Sequence, residues 1–359
     1  MKVSIGSRII DGPWGGGNLF VVNFKNYLQK NGHKVTHDLC EKDIDVILLT
    51  DPRSRKESSS TFNHEDIKKY KKFVNPNVVV IQRINECDER KGTNFINEYY
   101  LDASECADHV IFVSKWLKDI YINIGMDEKK TSVIMSGADE KVFNPSGLEK
   151  LDTKKIKFVT HHWSNHFNKG FDIYKKFDEM LSLSEYADFE FTYIGNVPKD
   201  IEFKNIVVKP PMSGQALANE IKKNNIYITA SKNEPSGNHH IEAAQCGLPI
   251  LYFDSGGIPE YCDGFGVKFA DNFEDKLLEI VQSYEIYKEK LREYPYSSDV
   301  MCKEFFDTFK LIIDNKLNSE IKVNRLVRDL FLVKNRIRKI LTDINFKQNL
   351  KNKLKGFKS

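Results

Sequence analysis

Short runs of apolar, largely β-branched residues alternate along the chain with segments of helical spacing. Leu19, Val22 and Leu28 recur at such a spacing and predict a helix over 19–30. The runs predicted as strands lie at 2–7, 45–49, 78–81, 110–113, 156–160, 189–194, 206–208, 226–230 and 249–253. Because these runs are continuously apolar rather than alternating, they predict parallel sheets covered by helices on both faces.

A polar stretch at residues 144–152, which contains Pro145 and Gly147, divides this pattern into two halves. We expect an α/β protein with two doubly wound, Rossmann-like domains in tandem, 1–150 and 151–295. Ligands of such sheets bind at the carboxyl ends of the strands. The two domains should therefore face each other across a cleft that holds the site.

The last part of the chain, 315–359, has a different pattern. Apolar residues every three or four positions predict an amphipathic helix with a break near Asn345. They are Leu326, Leu330, Val333, Ile337, Leu341, Ile344, Leu350, Leu354 and Phe357. This tail carries a formal charge of +10 within a net charge of +3, so residues 1–314 carry −7. A basic helix of this kind either packs on the acidic body or binds an anionic lipid surface. Nucleic acid is not an expected partner, because aromatic residues are sparse in the tail.

The composition excludes several classes of protein. Of the 359 residues, 40% are hydrophobic and 29% are charged, which allows folded cores and excludes a disordered or collagen-like chain. No apolar run approaches the roughly 18 residues that span a bilayer, and the first residues lack the apolar core of a signal peptide. The six cysteines are scattered without a C-x-x-C pair. We therefore expect reduced thiols in a cytoplasmic protein, and neither a zinc nor a redox site.

The candidate chemistry is densest at residues 234–242, Glu-Pro-Ser-Gly-Asn-His-His-Ile-Glu. This segment follows a predicted strand and opens a helix, which Asn238 or Ser236 could cap. The N–H groups of the first helical turn form an anion site, and a diphosphate is the expected occupant. Glu242 could cap the helix or accept hydrogen bonds from paired ribose hydroxyls, and Glu234 could face a sugar. Both glutamates could also be merely solvated or capping carboxylates.

The wider pattern resembles the family-four glycosyltransferases, which have the GT-B fold. Their usual run is E-G-F-G-x-x-x-x-E-A-x-x-x-G-x-P-V followed by G-G-x-x-E. It is matched by Glu234, Gly237, Glu242, Ala243, Gly247, Pro249, Gly256, Gly257 and Glu260, while Pro235 and Ser236 replace the common Gly-Phe. Other short motifs of the family also have similar counterparts in this chain. They are Gly15-Gly-Gly17, Ala107-Asp108, Val113-Ser114, Ser136-Gly137, Phe143-Asn-Pro145 and Lys169-Gly170. The resemblance covers roughly residues 1–314 and says nothing about the substrate.

The resemblance implies a retaining glycosyl transfer from a nucleotide-diphosphate sugar, as co-substrate, without a metal or other cofactor. Helix N-termini, backbone amides and basic side chains would offset the charge of the departing diphosphate. The implied residues are Lys169 and Glu234 as catalytic residues, Gly16, Gly17, Lys169, Gly237, Asn238, His239 and His240 at the donor, and Glu242 at its ribose. By the same resemblance, residues 296–314 form a helix that packs back on the first domain.

One position departs from the family. Ser164 stands where the family usually has an arginine, five residues before the lysine of its K-G pair, so a cation at the diphosphate is missing from its usual place. His162, His166 or Arg8 could compensate, and His162 and Ser164 are possible phosphate or sugar contacts. The gap leaves room for a non-catalytic GT-B binding or scaffold protein. A GT-B epimerase-like enzyme is a further alternative.

The charged segment 82–91 follows a predicted strand at the expected mouth of the cleft. Arg83, Asn85 and Asp88 are candidates for binding an acceptor, and a salt-bridged loop is the alternative. We expect a glycan or lipid-linked acceptor, and a cytoplasmic protein held on the inner face of a membrane through its tail. The adjacent histidine pairs lack metal-ligand spacing, so no metal site is expected.

Overall fold

The computed structural model describes residues 1–10, 15–53, 59–150, 152, 154–316 and 321–356, the last thirteen of them by their backbone. The first half of the chain forms a six-stranded parallel sheet. Its strands are β1 (Lys2–Ile5), β2 (Lys34–Thr36), β3 (Val46–Leu49), β4 (Val79–Ile84), β5 (His109–Phe112) and β6 (Thr131–Val133). They are arranged in the order β2-β1-β3-β4-β5-β6.

Helices cover both faces of this sheet. They are α1 (Gly16–Lys30), α2 (His64–Phe73), α3 (Asp88–Lys91), α4 (Ile96–Ser104) and α5 (Lys115–Asn123). Each face of the sheet has its own hydrophobic core, and neighbouring residues of β4 point to opposite faces. Val80 packs with α2, α4 and α5, while Val79 packs with α1. This burial on both faces explains why the strand sequences are continuously apolar.

The second half of the chain repeats the arrangement. Its strands are β7 (Ile156–His162), β8 (Phe189–Gly195), β9 (Val207–Lys209), β10 (Ile226–Thr229), β11 (Ile250–Phe253) and β12 (Gly266–Phe269), in the order β12-β11-β10-β7-β8-β9, again all parallel. Its helices are α6 (Phe171–Met180), α7 (Gly214–Ile221), α8 (Asn238–Gln245), α9 (Ile258–Cys262), α10 (Phe273–Gln282) and α11 (Tyr284–Lys290).

All nine predicted strands are confirmed, and three strands were missed. The missed strands are β2, β6 and β12, which have three or four residues each. Residues of β2 and β6 are half-exposed or exposed, so neither strand has the apolar run that marks a buried one. The strand order reverses beside β1 in the first sheet and beside β7 in the second, and crevices at such points are where open α/β sheets bind ligands.

Helix α12 (Ser298–Asn315) follows the second sheet and returns to the first. Its aromatic side chains pack on α1, with ring centroids 5.0 Å apart for Phe20 and Phe305 and 5.4 Å apart for Phe24 and Phe309. These four rings are buried. Each such side chain contributes about 1.5–3 kcal/mol by leaving water, so α12 is an integral part of the first core.

Helix α13 (Arg325–Gly356) lies against the first half through Leu332, which is buried in its core. On the same face, the side-chain amide of Asn335 donates to Leu39 O at 3.1 Å, and Lys339 Nζ lies 2.7 Å from an Asp38 oxygen. The backbone stays helical through Asn345, so the expected break there is wrong. Phe357 lies outside the described residues.

The predicted apolar face of α13 points away from the body. Side chains that we call the outer stripe are between two-fifths and seven-tenths exposed: Leu326, Val327, Leu330, Val333, Ile337, Ile340 and Leu341. Among the residues described, no helix is both long enough and apolar enough to cross a membrane.

Candidate functional site

The N-terminal ends of two helices, one from each sheet, meet across the cleft. Gly16 begins α1 and lies so close to Asn238, the first residue of α8, that a Cβ on Gly16 would stand 2.6 Å from Asn238 Oδ1. Gly237 precedes α8 with φ +81°, and a Cβ there would come within 2.7 Å of the His239 ring. Position 237 therefore requires glycine. The fold thus brings together predicted donor-binding residues that are more than 200 positions apart in the sequence.

In the described part of the chain, neither of these two helices has a side-chain cap. The expected capping residues Ser236 and Asn238 do not cap α8, because Gly237 occupies the N-cap position. Uncapped N–H groups give each helix start a partial positive charge. Two such ends facing each other favour an anion between them.

Lys169 and Glu234 form a buried ion pair beside these helix ends. Lys169 Nζ donates a hydrogen bond to Glu234 Oε2, and both side chains are about one-tenth exposed. Gly170 follows Lys169 with φ +83°, and a Cβ there would lie 2.2 Å from Ala230 O, so this turn packs directly on the end of β10. That close packing places the lysine against the loop that carries Glu234. Burial lowers the pKa of Lys169, although Glu234 opposes this effect.

Arg90, which the sequence analysis did not single out, reaches the same carboxylate from the other half of the chain. Its Nε donates to Glu234 Oε1 at 3.0 Å, and its Nη1 donates to both carboxylate oxygens of Glu86 at 3.0 and 2.9 Å. We call Glu86, Arg90, Glu234 and Lys169 the cleft charge chain. Burial opposes ionisation of Glu234, but Arg90 and then Lys169 hold its pKa well below the usual value.

Two hydrogen bonds from side-chain amides fasten α3, which contains Arg90, to the second half. The side-chain amide of Asn168 donates to Arg90 O at 2.9 Å, and that of Asn233 donates to Glu89 O at 3.2 Å. Asn233 has φ +52°, an unusual backbone conformation for a residue other than glycine. The charged segment after β4 is therefore a fixed part of the cleft.

The three predicted acceptor residues lie in different surroundings. Asp88 caps α4, since its carboxylate accepts hydrogen bonds from the backbone N–H groups of Phe95, Ile96 and Asn97 at 2.9–3.1 Å. Asn85 is half-buried just beyond β4. Arg83 is buried within β4, with its guanidinium carbon 4.2 Å from the centre of the Phe20 ring. Their acceptor role stays a prediction, and of the three only Asp88 has its carboxylate fully engaged in a cap.

Four histidines form a buried cluster behind the helix ends. The rings of His162 and His239 lie 4.7 Å apart, and those of His239 and His240 lie 4.9 Å apart. His161 Nε2 is 2.9 Å from Glu242 Oε2, and this contact holds the carboxylate predicted to bind the ribose. Burial lowers the pKa values of His162 and His239 well below the usual one, and lowers that of His240 to about 3.

These pKa shifts bear on the cation that the family resemblance leads us to expect at position 164, where this chain has serine. His162 is uncharged near neutral pH and is bonded to the Tyr174 hydroxyl at 2.8 Å, so it supplies no fixed positive charge. Burial also lowers the pKa of His166, whose backbone N–H donates to Ser164 Oγ at 3.2 Å. Arg8 lies 3.7 Å from Asp343 of α13. Arg90 and Lys169 are the cations bonded to Glu234.

Glu260, the last residue of the G-G-x-x-E run, joins the two halves. Its carboxylate accepts the backbone N–H groups of Lys115 and Trp116, both at 2.7 Å, and so caps α5 from across the cleft. The neighbouring Tyr261 hydroxyl donates to Val113 O and accepts from Ser136 N–H at 2.9 Å. In the described part of the chain, no three His, Cys, Asp or Glu side chains form a group that could hold a metal ion.

Comparison with curated proteins shows partial relatives. No family model matches the chain. It is 26% identical over 223 residues to the GPI3 subunit of phosphatidylinositol N-acetylglucosaminyltransferase from Saccharomyces cerevisiae, a match that covers 56% of this chain and 48% of the relative. It is 27% identical over 225 residues to a probable sucrose-phosphate synthase from Thermosipho melanesiensis, which covers 53% and 52%. The chain thus spans about half the length of the curated relatives it matches.

Solved structures match over nearly the whole chain. HepE from Anabaena, in complex with UDP, has a TM-score of 0.64 at 13% identity, with 87% of this chain and 100% of that one covered. A glycosyltransferase from Rickettsia africae has a TM-score of 0.61 at 15% identity, with 88% and 99% covered. Together with the two six-stranded parallel sheets, these likenesses confirm the predicted GT-B fold.

Proposed function

We propose that the protein is a retaining, metal-independent glycosyltransferase of family four, which moves a sugar from a nucleotide-diphosphate sugar to a glycan or lipid-linked acceptor. The observation that carries the proposal is the buried Lys169–Glu234 pair beside two facing, uncapped helix starts. The names of the relatives agree with it, since one is an N-acetylglucosaminyltransferase subunit and HepE was solved with UDP. We take UDP-sugars as the first donors to test.

The site suits a leaving diphosphate. Negative charge grows on the diphosphate as the bond from the anomeric carbon to its oxygen breaks. The N–H groups at the starts of α1 and α8, with Gly16 and Gly17 on one side and Gly237 and Asn238 on the other, would stabilise that charge without having to rearrange. Lys169 would add a point charge.

Glu234 would act as a carboxylate rather than as an acid. Its bonds to Lys169 and Arg90 keep it ionised near neutral pH, so it has no proton to give to the leaving group. In the retaining reaction that we propose, the acceptor oxygen bonds to the anomeric carbon on the face that the diphosphate leaves. The acceptor's proton passes to a diphosphate oxygen. Glu234 would position Lys169 and contact the donor sugar.

Glu242 would hold the ribose. Its Oε2 is bonded to His161, and among the described residues no other side chain bonds to this carboxylate. Oε1 could therefore accept hydrogen bonds from the two ribose hydroxyls. His239 and His240 line the same wall next to the nucleotide end of the site.

We also propose that α13 holds the protein on an anionic membrane surface at the cytoplasmic face. Seven apolar side chains of the outer stripe face away from the body, and Arg325, Lys334 and Arg336 are exposed beside them. Apolar side chains flanked by basic ones suit the boundary between lipid headgroups and acyl chains. This arrangement would present the first half of the chain, which we propose binds the acceptor, to a lipid-linked substrate.

A donor screen tests the enzymatic proposal. The protein is incubated with UDP-, GDP- and ADP-sugars in the presence of EDTA, and free nucleoside diphosphate and the anomeric configuration of the product are measured. We expect the wild type to release nucleoside diphosphate, and we expect Lys169→Gln or Glu234→Gln to abolish this release. Lys303→Gln, which changes an exposed ion pair on α12, should leave the release unchanged. Loss of activity with EDTA, or inversion of configuration, would contradict the mechanism.

One observation favours a second candidate. Ser164 stands where the resemblance expects a phosphate-binding arginine, and the described structure does not put another cation in direct contact with it. A non-catalytic GT-B binding protein would bind the nucleotide without turnover in the same screen. An epimerase-like enzyme would instead release nucleotide and isomerised sugar without an acceptor.

A further inference from the structure

Among the described residues, Arg83 is a buried cation without a carboxylate partner. Its side chain belongs to a residue only 5% exposed, and its Nε has no hydrogen-bond partner among the described residues. Lys169 and Arg90, two other cations in the cleft, are each bonded to a glutamate. Burial lowers the pKa of Arg83 only to about 10, so the guanidinium is charged near neutral pH.

An unpaired buried charge is costly, because the guanidinium loses its hydration and gains no counter-ion. The Phe20 ring, with its centre 4.2 Å from the guanidinium carbon, offsets only part of this loss. A neutral residue would pack on Phe20 without that cost. Packing alone therefore does not explain why a charged residue lies here. A negatively charged ligand that enters the cleft would supply the missing counter-ion.

The position of Arg83 indicates where that ligand would lie. Phe20 is in the second turn of α1, so the guanidinium is next to the uncapped start of this helix. On the other side, Arg83 is opposite Ile111 of β5, and the Tyr261 hydroxyl donates to Val113 O just beyond that strand. The Tyr261 ring centre is 5.5 Å from that of His240 in the first turn of α8. Arg83 therefore lies at the cleft edge of the first sheet, beside α1 and near the residues that pack on the first turn of α8.

Further buried polar groups lie at the start of α8. Ser236 Oγ is buried close to the Tyr261 hydroxyl, and both ring nitrogens of His240 are buried without a hydrogen-bond partner among the described residues. The hydroxyl and the neutral ring can each donate one hydrogen bond. With the guanidinium and the N–H groups of α8, these donors suit a ligand that has several charged oxygens on one atom, as a phosphoryl group has.

We propose that Arg83, together with Ser236 and the first turn of α8, binds a phosphoryl group in the cleft. This inference rests on the proposed function, because that function brings two kinds of phosphoryl group to the cleft. One is the diphosphate of the donor, for which Arg83 would supply the cation that Ser164 leaves missing. The other is a phosphate carried by the acceptor.

Calorimetric titration of the full chain separates the two sources. Arg83→Gln and Arg83→Lys are compared with the wild type and with Lys222→Gln, a buried cation bonded to Ser146 O near the far end of α8. Each protein is titrated with UDP, GDP and ADP, with the corresponding nucleosides, and with inorganic phosphate after saturation with the nucleoside diphosphate that binds best.

If Arg83 binds the donor, Arg83→Gln weakens the affinity for the nucleoside diphosphate about 10- to 100-fold and leaves the affinity for the nucleoside unchanged. If it binds the acceptor, the nucleoside diphosphate is unaffected and the binding of inorganic phosphate to the saturated protein is lost. Arg83→Lys retains part of either affinity. Unchanged binding of both ligands to Arg83→Gln, or a wild type that binds neither, would overturn the proposal.

A melting temperature distinguishes binding from a structural role. Because Arg83→Gln removes an uncompensated buried charge, it should melt no lower than Lys222→Gln in the absence of ligand. A large loss of stability in both Arg83 variants would show that the residue supports the fold and would overturn the proposal. If phosphoryl binding depends on Arg83 but no donor supports sugar transfer, the proposed function fails and the phosphoryl site stands.

Discussion

The cleft charge chain makes the link between the two halves of the molecule measurable. Arg90→Gln removes the bond of Nε to Glu234 and the two bonds of Nη1 to Glu86, while the amide keeps much of the side chain's shape. Both carboxylates are only 9% exposed, so water restores little of the lost interaction. Arg90→Gln should therefore destabilise the folded chain.

The expected size follows from the partners that remain. Breaking a buried ion pair by removing one partner costs about 3–5 kcal/mol. Here Glu234 keeps Lys169, and Glu86 keeps Lys91 at 3.1 Å, so neither carboxylate is left alone. We expect a loss of about 2–3 kcal/mol in the free energy of unfolding, measured by urea denaturation near neutral pH.

Arg292→Gln is the matched control for this substitution. Arg292 pairs with Glu289 at 2.9 Å, but the two side chains are 74% and 65% exposed, so the loss should be about 0–0.5 kcal/mol. The pKa of Glu234 is lowered in the folded state, so the stability it contributes is present above its unfolded pKa of about 4.3 and is lost as the pH falls below it. The difference in the free energy of unfolding between Arg90→Gln and the wild type should therefore become smaller at acid pH. A difference no larger than that of Arg292→Gln would refute the reasoning.

Three further predictions concern the nucleotide, the histidines and the tail. Glu242→Ala should weaken binding of the preferred nucleoside diphosphate by about 1–3 kcal/mol and leave inorganic pyrophosphate unaffected, whereas unchanged calorimetric affinity would remove the ribose role. The three buried histidines with lowered pKa values cannot take up protons that the unfolded chain binds below about pH 6.5, so stability should fall as the pH drops from about 7.5 to 5.5. The loss should approach about 4 kcal/mol, and equal urea midpoints at the two pH values would contradict it. In the tail, we would replace Leu330, Ile337 and Leu341 of the outer stripe with glutamine. The protein should then no longer sediment with anionic vesicles but should keep its nucleotide affinity. Sedimentation like that of the wild type would exclude a membrane role for the stripe.

Substitution tests the tail more cleanly than truncation does. Leu332 and Asn335, on the inner face of α13, contact the core of the first half. Removing the helix would expose that core and confuse loss of membrane binding with loss of stability. The outer stripe can be changed without touching those contacts.

The buried elements were predictable because a strand covered on both faces must be apolar throughout. Short strands with half-exposed residues, such as Lys34–Thr36, carry no comparable pattern. For α13, the 3.6-residue period predicted the helix but not the direction of its apolar side. That direction is set by Leu332 and Asn335, whose partners are distant in the sequence.

The candidate site was predictable where one short segment contains the geometry. Gly237 and Asn238 lie at a helix start that the local sequence already indicates. Arg90 was not predictable in the same way, because it is one of several charged residues in segment 82–91 and nothing local tells which one crosses the cleft. Its partner Glu234 is 144 residues further along the chain, so only the packing of the two halves identifies the pair.

The return of α12 to the first sheet has a consequence for how the chain folds as it is synthesised. Phe20 and Phe24 are made early, but the rings that cover them, Phe305 and Phe309, follow only after every strand of the second sheet. Until then one face of the first sheet exposes aromatic surface, which favours aggregation in a partly folded chain. The described cores of the second sheet use residues no later than Tyr296, so they can form before α12 is made. The half of the protein that leaves the ribosome first would thus finish folding last, and chaperones would be needed mainly in that interval.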